Sequence, residues 1–183
     1  MPERHTRGII RKLLPQEHRE LLQHFLRLDG ESRRARFHHA VSDDFLAAYT
    51  RHAVADGAIV HGWFCDGVLR AVAELHPLGS WKSAEAAFSV EPKHQEHGVG
   101  SRLMAATMTA ARNRGVEKLT LCCSPVNHRM QAIARKSGAR LCLKADEVFG
   151  EIRPRPATGL SYLRESIGDA HGLMTAILGL RVR

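Results

Sequence analysis

The sequence predicts an α/β domain of the α+β type, in which helices flank a mixed, mostly antiparallel sheet that contains a central parallel strand pair. Three observations predict it. The chain has 183 residues, of which 44% are hydrophobic and 25% charged, and this is typical of one compact domain. Its middle carries a hairpin pattern. A strand, a helix and a second strand then follow one another, which is the pattern of a parallel crossover.

The first fifty residues predict one strand followed by helices. Residues 8–14 (GIIRKLL) form a short apolar strand pattern. Apolar residues then recur at helical spacing over residues 21–26, and this helix should stop at Gly30. A second helical region covers residues 32–37, and Ser42 can cap a following turn that carries Phe45, Leu46 and Tyr49.

The middle of the chain changes to strand periodicity. Residues 58–65 and 68–75 are apolar runs separated by Asp66-Gly67, a two-residue turn that favours a hairpin. Residues 85–90 add a third strand, so the three should form an antiparallel meander. A helix that ends before Gly115 leads to a strand at 118–123. A crossover of this length makes 118–123 parallel to 85–90.

The C-terminal part predicts a shorter helix, two strands and a tail. Asn127 opens the helix, and strands follow at residues 140–143 and 148–153. Residues 1–160 are assigned to the domain and residues 161–183 to a C-terminal extension, which the tail's apolar residues predict to be helical. Those residues are Leu173, Met174, Ile177 and Leu178. We expect this helix to pack on the domain or on a second subunit, which would give a homodimer.

Charge and hydropathy restrict the partners. The net charge of +8 favours an anionic partner, such as nucleic acid, an acidic lipid surface or a polyanionic cofactor. The basic residues are spread from Arg4 to Arg183 and only 5% of residues are aromatic, which argues against nucleic acid. No run approaches the roughly 20 apolar residues that span a bilayer, and the N-terminus has no signal-peptide pattern. We therefore expect a cytoplasmic protein without a membrane partner.

The four cysteines are Cys65, Cys122, Cys123 and Cys142, and each lies in an apolar, strand-like run. They form no CxxC pair and have no histidine at zinc-finger spacing. We expect buried, reduced thiols and no bound metal.

The loop from Glu91 to Ser101 carries the strongest functional signal. Gly98 and Gly100 precede a helix whose first N–H groups and positive dipole end favour a phosphate. The P-loop pattern is absent, and Leu103 occupies the third glycine position of the dinucleotide fingerprint. Taken alone, the glycine pair is equally compatible with a tight turn.

The pattern Gln95-x-x-Gly98-x-Gly100 resembles the acetyl-CoA loop of the GNAT (N-acetyltransferase) superfamily. Residues 84–141 are similar to that family's core throughout: strand, loop, helix, Arg-Gly, strand, Asn, helix, Lys-x-Gly. Residues 28–37 are similar to the N-terminal region of the GNAT domain of bacterial protein lysine acetyltransferases. The resemblance covers roughly residues 8–150.

The resemblance implies a position for acetyl-CoA. Its pantetheine would run beside strand 85–90, where this strand splays from 118–123, and would bond to backbone groups of Phe88, Ser89 and Val90. Asn127 would approach the same arm. Arg102 is either a phosphate contact or a solvated surface cation. The pyrophosphate would lie on the N–H groups of Gln95, Glu96, His97, Gly98, Val99, Gly100 and Ser101.

The resemblance also implies a general base for deprotonating an amine acceptor. A lysine-like ammonium costs about 4 to 5 kcal/mol to deprotonate at pH 7, so a positioned base is useful. Glu85 is the candidate catalytic residue because Ala84-Glu85-Ala86-Ala87 matches the strand glutamate of the lysine acetyltransferases. A structural pairing with a basic neighbour is the alternative for Glu85, and Glu74 is the second candidate base.

One residue departs from the family pattern. Many relatives carry a tyrosine acid seven residues after the helix-opening asparagine, where this chain has Ala134. Neither Tyr49 nor Tyr162 lies in a matching motif. A thiol with a pKa of about 8.5 can leave as thiolate, so we expect direct attack without this acid. The acceptor is a protein lysine or a small amine. A noncatalytic acyl-CoA-binding regulatory module and a basic nucleic-acid binder are the alternatives.

Overall fold

The computed structural model of this chain describes residues 8–55 and 57–181, with side chains described except for 55 and 176–181. The strands are β1 (Gly8–Lys12), β2 (Ile59–Cys65), β3 (Val68–Leu78), β4 (Ser80–Val90), β5 (Lys118–Cys123), β6 (Arg140–Lys144) and β7 (Glu147–Ile152). The helices are α1 (His18–Arg27), α2 (Gly30–Phe37), α3 (Asp43–Ala55), α4 (Val99–Asn113), α5 (His128–Lys136) and α6 (Gly159–Arg181). Single 3-10 turns occur at Pro15–Glu17 and Pro92–His94.

The strands form one seven-stranded sheet in the order β1-β2-β3-β4-β5-β7-β6. Antiparallel pairing joins every neighbouring pair except β4 and β5, which are parallel. The crossover through α4 makes them so, because a helix returns the chain to the start of the sheet. The predicted fold class, a mostly antiparallel sheet with a central parallel pair, is confirmed.

The turn between β2 and β3 follows from its two residues. Asp66 and Gly67 both adopt left-handed conformations, with φ of 51° and 74°. A two-residue hairpin turn requires this because its twist must match the twist of the two strands. The next hairpin was harder to predict. Strand β4 begins at Ser80, five residues before the predicted start, and its early residues pair with the end of β3.

Helices cover both faces of the sheet. On one face α1, α2 and α3 surround a core that includes Leu21, Phe25 and Leu46. On the other face α4 and α5 pack through Met104, Ala111 and Ala134 against β4, β5 and β7. Helix α3 is longer than the predicted turn, and the Ser42 hydroxyl accepts a hydrogen bond from the N–H of Phe45 at its start.

The tail forms α6, which packs beside β1 and α4. Glu165 holds it there: its carboxylate accepts hydrogen bonds from Lys12, Asn113 and Arg114 at 2.6–2.8 Å. Leu163, which is 55% exposed, lies on the outer side of this helix. A second subunit on that side stays a prediction. The side chains of Ile177 and Leu178 lie outside the described residues.

The cysteines occupy strands as expected, but their burial differs. Cys65 and Cys123 are buried, Cys122 is half-buried and Cys142 is exposed. The prediction of a buried thiol is wrong for Cys142 because β6 is an edge strand on which this side chain faces solvent. Among the described helices, none has the length and apolar character required to cross a bilayer.

Candidate active site

A gap opens in the sheet between β4 and β5. The two strands pair only from Ser83, opposite Lys118, to Glu85, opposite Thr120. Beyond this point β4 continues to pair with β3 as far as Val90, and β5 continues to pair with β7 as far as Cys123. The strands therefore diverge, and each presents an edge of backbone groups to the opening.

Strand alternation decides which groups of β4 face this opening. The N–H of Glu91 donates to the backbone carbonyl of Arg70 on β3. The backbone groups of the odd-numbered residues of β4, including Ser89, therefore face β3. Phe88 and Val90 therefore direct their N–H and C=O groups towards the opening. The Val90 carbonyl already accepts a hydrogen bond from Gln95 Nε2 at 3.0 Å.

The predicted phosphate loop lies at the wide end of the opening. Gly98 has a φ of 74°, which glycine adopts without strain, and α4 begins at the next residue. The N–H groups of the first helical turn have no partner within the helix, so they point out of its N-terminus into the loop. This is the arrangement in which helices bind phosphate.

Sequence reasoning missed Arg129, at the start of α5. Its Nη1 donates to Gln95 Oε1 at 2.8 Å, and its other terminal nitrogen forms an ion pair with Glu96. Arg129 thus ties α5 to the loop and places a cation beside it. Its position two residues after Asn127 was the available signal, because both residues then lie in the first turn of α5.

Two predicted contacts have partners inside the protein. Asn127 Oδ1 caps α5 by accepting from the N–H of Met130 at 3.0 Å. The Arg102 side chain, exposed on the first turn of α4, donates to the Gly8 carbonyl at 3.1 Å. Their roles towards a coenzyme stay predictions.

A buried polar cluster fixes the end of β4, where the loop begins. Glu91 accepts hydrogen bonds from Arg27 at 2.8 Å and Arg70 at 3.0 Å. His24 of α1 lies 2.8 Å from the Ser89 hydroxyl. Burial would raise the pKa of Glu91, but the hydrogen bonds from His24, Arg27 and Arg70 outweigh it and lower this pKa to about 2. The residue is therefore a fixed anion that joins α1 to the loop.

The two candidate bases have different surroundings. Glu74 is fully buried and accepts hydrogen bonds from Arg36 at 2.6 Å and from the Tyr49 hydroxyl at 2.5 Å. Burial would raise its pKa, but the charge of Arg36 and the hydrogen bond from His76 dominate and lower the pKa of Glu74 to about 2. A carboxylate of this kind does not take a proton near neutral pH.

Glu85 lies where the parallel pairing ends, and its side chain is exposed. It shares a sheet face with His76, its register partner on β3. Burial, the hydrogen bond to Glu147 and the charges of Glu147 and Glu85 raise the pKa of Cys122 on β5 to about 12. Glu85 is thus close enough to Cys122 for its charge to act on the thiol. Glu85 is an exposed carboxylate at the narrow end of the opening.

The tyrosines offer no substitute for the missing acid. The Tyr49 hydroxyl donates to Glu74 and accepts from Arg36, and burial raises the pKa of Tyr49. Tyr162 lies on α6, where its hydroxyl donates to the Asn113 carbonyl. Ala134 is fully buried in the core between α5 and the sheet.

Comparisons with known proteins identify the family of this chain. Residues 19–139 match the GNAT acetyltransferase family, and the chain therefore belongs to that family. No curated protein matches the chain in a sequence search.

Solved structures resemble the chain at low sequence identity. The GNAT domain of S. lividans PAT is 20% identical, with a TM-score of 0.67 over 84% of this chain and 99% of that one. The yncA protein of Salmonella typhimurium, solved with acetyl-CoA, is 17% identical, with a TM-score of 0.64 over 84% and 97%. The paia N-acetyltransferase of Thermoplasma acidophilum, in complex with coenzyme A, is 16% identical, with a TM-score of 0.59 over 80% and 99%. At these identities the likeness shows the fold.

Proposed function

We propose that this chain transfers an acetyl group from acetyl-CoA to a primary amine. The observation that carries the proposal is the gap between β4 and β5, which joins the phosphate-binding loop at one end to Glu85 at the other. Family membership and the coenzyme-bound structures of the yncA and paia proteins support the same donor.

The pantetheine arm would lie in the gap as an extended chain. Phe88 offers a backbone donor and acceptor and Val90 a donor, as an added strand would use them, while the Val90 carbonyl already accepts from Gln95 Nε2. The pyrophosphate would bind the N–H groups from Glu96 to Ser101, with the dipole of α4 favouring its charge. The predicted donor Gln95 is left out because its N–H already donates to the Pro92 carbonyl at 3.2 Å. The thioester would then lie near the point where the parallel pairing ends.

Glu85 would act on the acceptor at that point. Its carboxylate takes the proton that the ammonium must lose, directly or through water, and the free amine attacks the thioester carbonyl. A backbone N–H of Phe88 or Val90 stabilises the charge that develops on the carbonyl oxygen. Coenzyme A then leaves as its thiolate, so the reaction does not require a tyrosine at position 134.

The acceptor is proposed to be a protein lysine, with a small amine as the second candidate. The basis is the strand sequence around Glu85, which is similar to that of the lysine acetyltransferases. A panel of lysine peptides and small amines, assayed for thiol release from acetyl-CoA, distinguishes the two.

The decisive experiment compares Glu85→Gln with Glu117→Gln. Glu117 is an exposed carboxylate just before β5, at the far end of the parallel pair, where it contacts only exposed Lys82 among the described salt bridges. We expect Glu85→Gln to retain acetyl-CoA affinity and to lose about 10²- to 10⁴-fold in transfer rate, the usual contribution of a general base. The control should transfer at the wild-type rate.

A noncatalytic acyl-CoA-binding module is the competing function, motivated by Ala134. It predicts acetyl-CoA binding without thiol release for every acceptor in the panel. An unchanged rate in Glu85→Gln would instead remove that residue from the mechanism and leave the transferase activity in place.

A further inference from the structure

Three metal-ligating side chains from three separate elements meet on the sheet face that carries Glu85. His38 follows the last residue of α2, Cys122 lies on β5 and Glu147 begins β7. His38 Nδ1 is 2.8 Å from Glu147 Oε1, and Cys122 Sγ donates to Glu147 Oε2 at 3.2 Å. The ligand atoms of the three residues all lie within 4.8 Å of one another.

We propose that His38, Cys122 and Glu147 bind a thiophilic divalent cation of the zinc class. Zinc takes thiolate, imidazole and carboxylate ligands at about 2.0–2.3 Å in a tetrahedron, which places the ligand atoms about 3.3–3.6 Å apart. The observed separations require only small side-chain movements to reach that geometry. Three protein ligands leave the fourth position for water or another small ligand.

The surroundings favour a cation over the hydrogen-bonded trio alone. Metal binding would release the Cys122 proton to solvent, and the resulting thiolate together with the Glu147 carboxylate would balance the charge of a divalent ion. The carboxylate of Glu85 adds a further negative charge within electrostatic reach of Cys122. The sulfur ligand favours zinc over magnesium or calcium. His38 and Glu147 are each about one third exposed, so the ion can enter from solvent.

Two of the three ligands lie on hydrogen-bonded neighbouring strands. Cys122 pairs with Phe149 in the ladder between β5 and β7, and Glu147 lies two residues earlier on the same side of β7. His38 follows the last residue of α2, a helix that packs on the sheet against β4. Sequence spacing alone cannot reveal such a site, because its ligands are distributed over more than a hundred positions.

The test uses cobalt(II) as a spectroscopic probe for the zinc site, in the full chain without an affinity tag. We expect one equivalent of cobalt to give a thiolate-to-metal charge-transfer band, and zinc to displace it. Cys122→Ser should abolish the band. Glu147→Gln and His38→Ala should each weaken zinc binding by about 10-fold or more.

Cys142→Ser is the matched control. Cys142 pairs with Phe149 from the other side, so this exposed thiol lies on the same sheet face two strands from Cys122. Its loss should leave the band unchanged. The proposal is overturned if wild-type protein gives no band, or if the band survives Cys122→Ser in a variant that keeps the wild-type circular dichroism spectrum. Because the readout is metal binding, it succeeds or fails independently of the proposed acetyl transfer.

Discussion

Glu74 and Glu85 lie on neighbouring strands and on the same face of the sheet, yet the structure treats them in opposite ways. Glu74 is surrounded by Arg36, Tyr49 and His76, and burial excludes water from it. Glu85 lies on β4, two residues before Ala87, the register partner of Glu74. At Glu85 the pairing of β4 with β5 ends. The position of a glutamate in the sheet therefore decides whether its carboxylate is buried in an ion pair or exposed to a substrate.

The largest expected effect comes from removing the buried charge. Glu74→Gln leaves Arg36 without its ion-pair partner in the core, which should cost about 3–5 kcal/mol in the free energy of unfolding. Glu85→Gln should change it by less than about 0.5 kcal/mol, since that side chain is exposed. Urea denaturation monitored by circular dichroism measures both. Equal losses in the two variants would end the distinction between the residues.

Low pH should reduce the stability that the Glu74 ion pair contributes to the fold. Because the folded protein lowers the pKa of Glu74 to about 2, its contribution is fully present above the ordinary carboxyl pKa and is lost as the pH falls towards 2. The stability difference between wild type and Glu74→Gln should therefore shrink by about 3 kcal/mol between pH 5 and pH 2.

Using that difference removes the contributions of the other perturbed groups. Glu91 and Glu165 also have a lowered pKa, and His61 has one lowered to about 3 by burial, in both proteins alike. A difference that stays constant with pH would show that Glu74 has no lowered pKa.

The smallest effect concerns the loop. Gly98→Ala places a side chain in the left-handed region, which should cost about 1–2 kcal/mol in unfolding free energy, although open space surrounds the new methyl group. Gly79→Ala, in the turn before β4, has the same φ within one degree and equally open space. Both variants should lose similar stability, but only Gly98→Ala should weaken acetyl-CoA binding. Equal acetyl-CoA affinities in the two variants would show that the loop at Gly98 does not bind the coenzyme.

Much of the fold was predictable because local patterns determine it. The Asp66-Gly67 turn determines the first hairpin, and the length of the crossover makes β5 parallel to β4. The early part of β4 was not predicted, because the polar residues Lys82 and Ser83 interrupt its apolar pattern. Ser83 pairs with Lys118 of β5, and the Lys82 carbonyl accepts a hydrogen bond from the N–H of Glu117, so both residues join the strand through a tertiary effect.

For the candidate site, the sequence predicted the position of the loop before α4 but not which backbone groups of β4 face the opening. The glycines define where α4 begins, but the selection of Phe88 and Val90 over Ser89 depends on which edge of β4 pairs with β3. The ion pair between Arg36 and Glu74 joins residues 38 positions apart, and no periodicity encodes it. Likewise, His38, Cys122 and Glu147 are brought together by the order of the strands in the sheet and by the packing of α2 on it.

The most direct test of the account is a calorimetric titration of acetyl-CoA into the wild-type protein, with Gly98→Ala and Gly79→Ala beside it. The account predicts one binding site per chain in the wild type and in Gly79→Ala, and an affinity lower by about 10-fold or more in Gly98→Ala, equivalent to about 1.4 kcal/mol. Absence of binding in the wild type would contradict it.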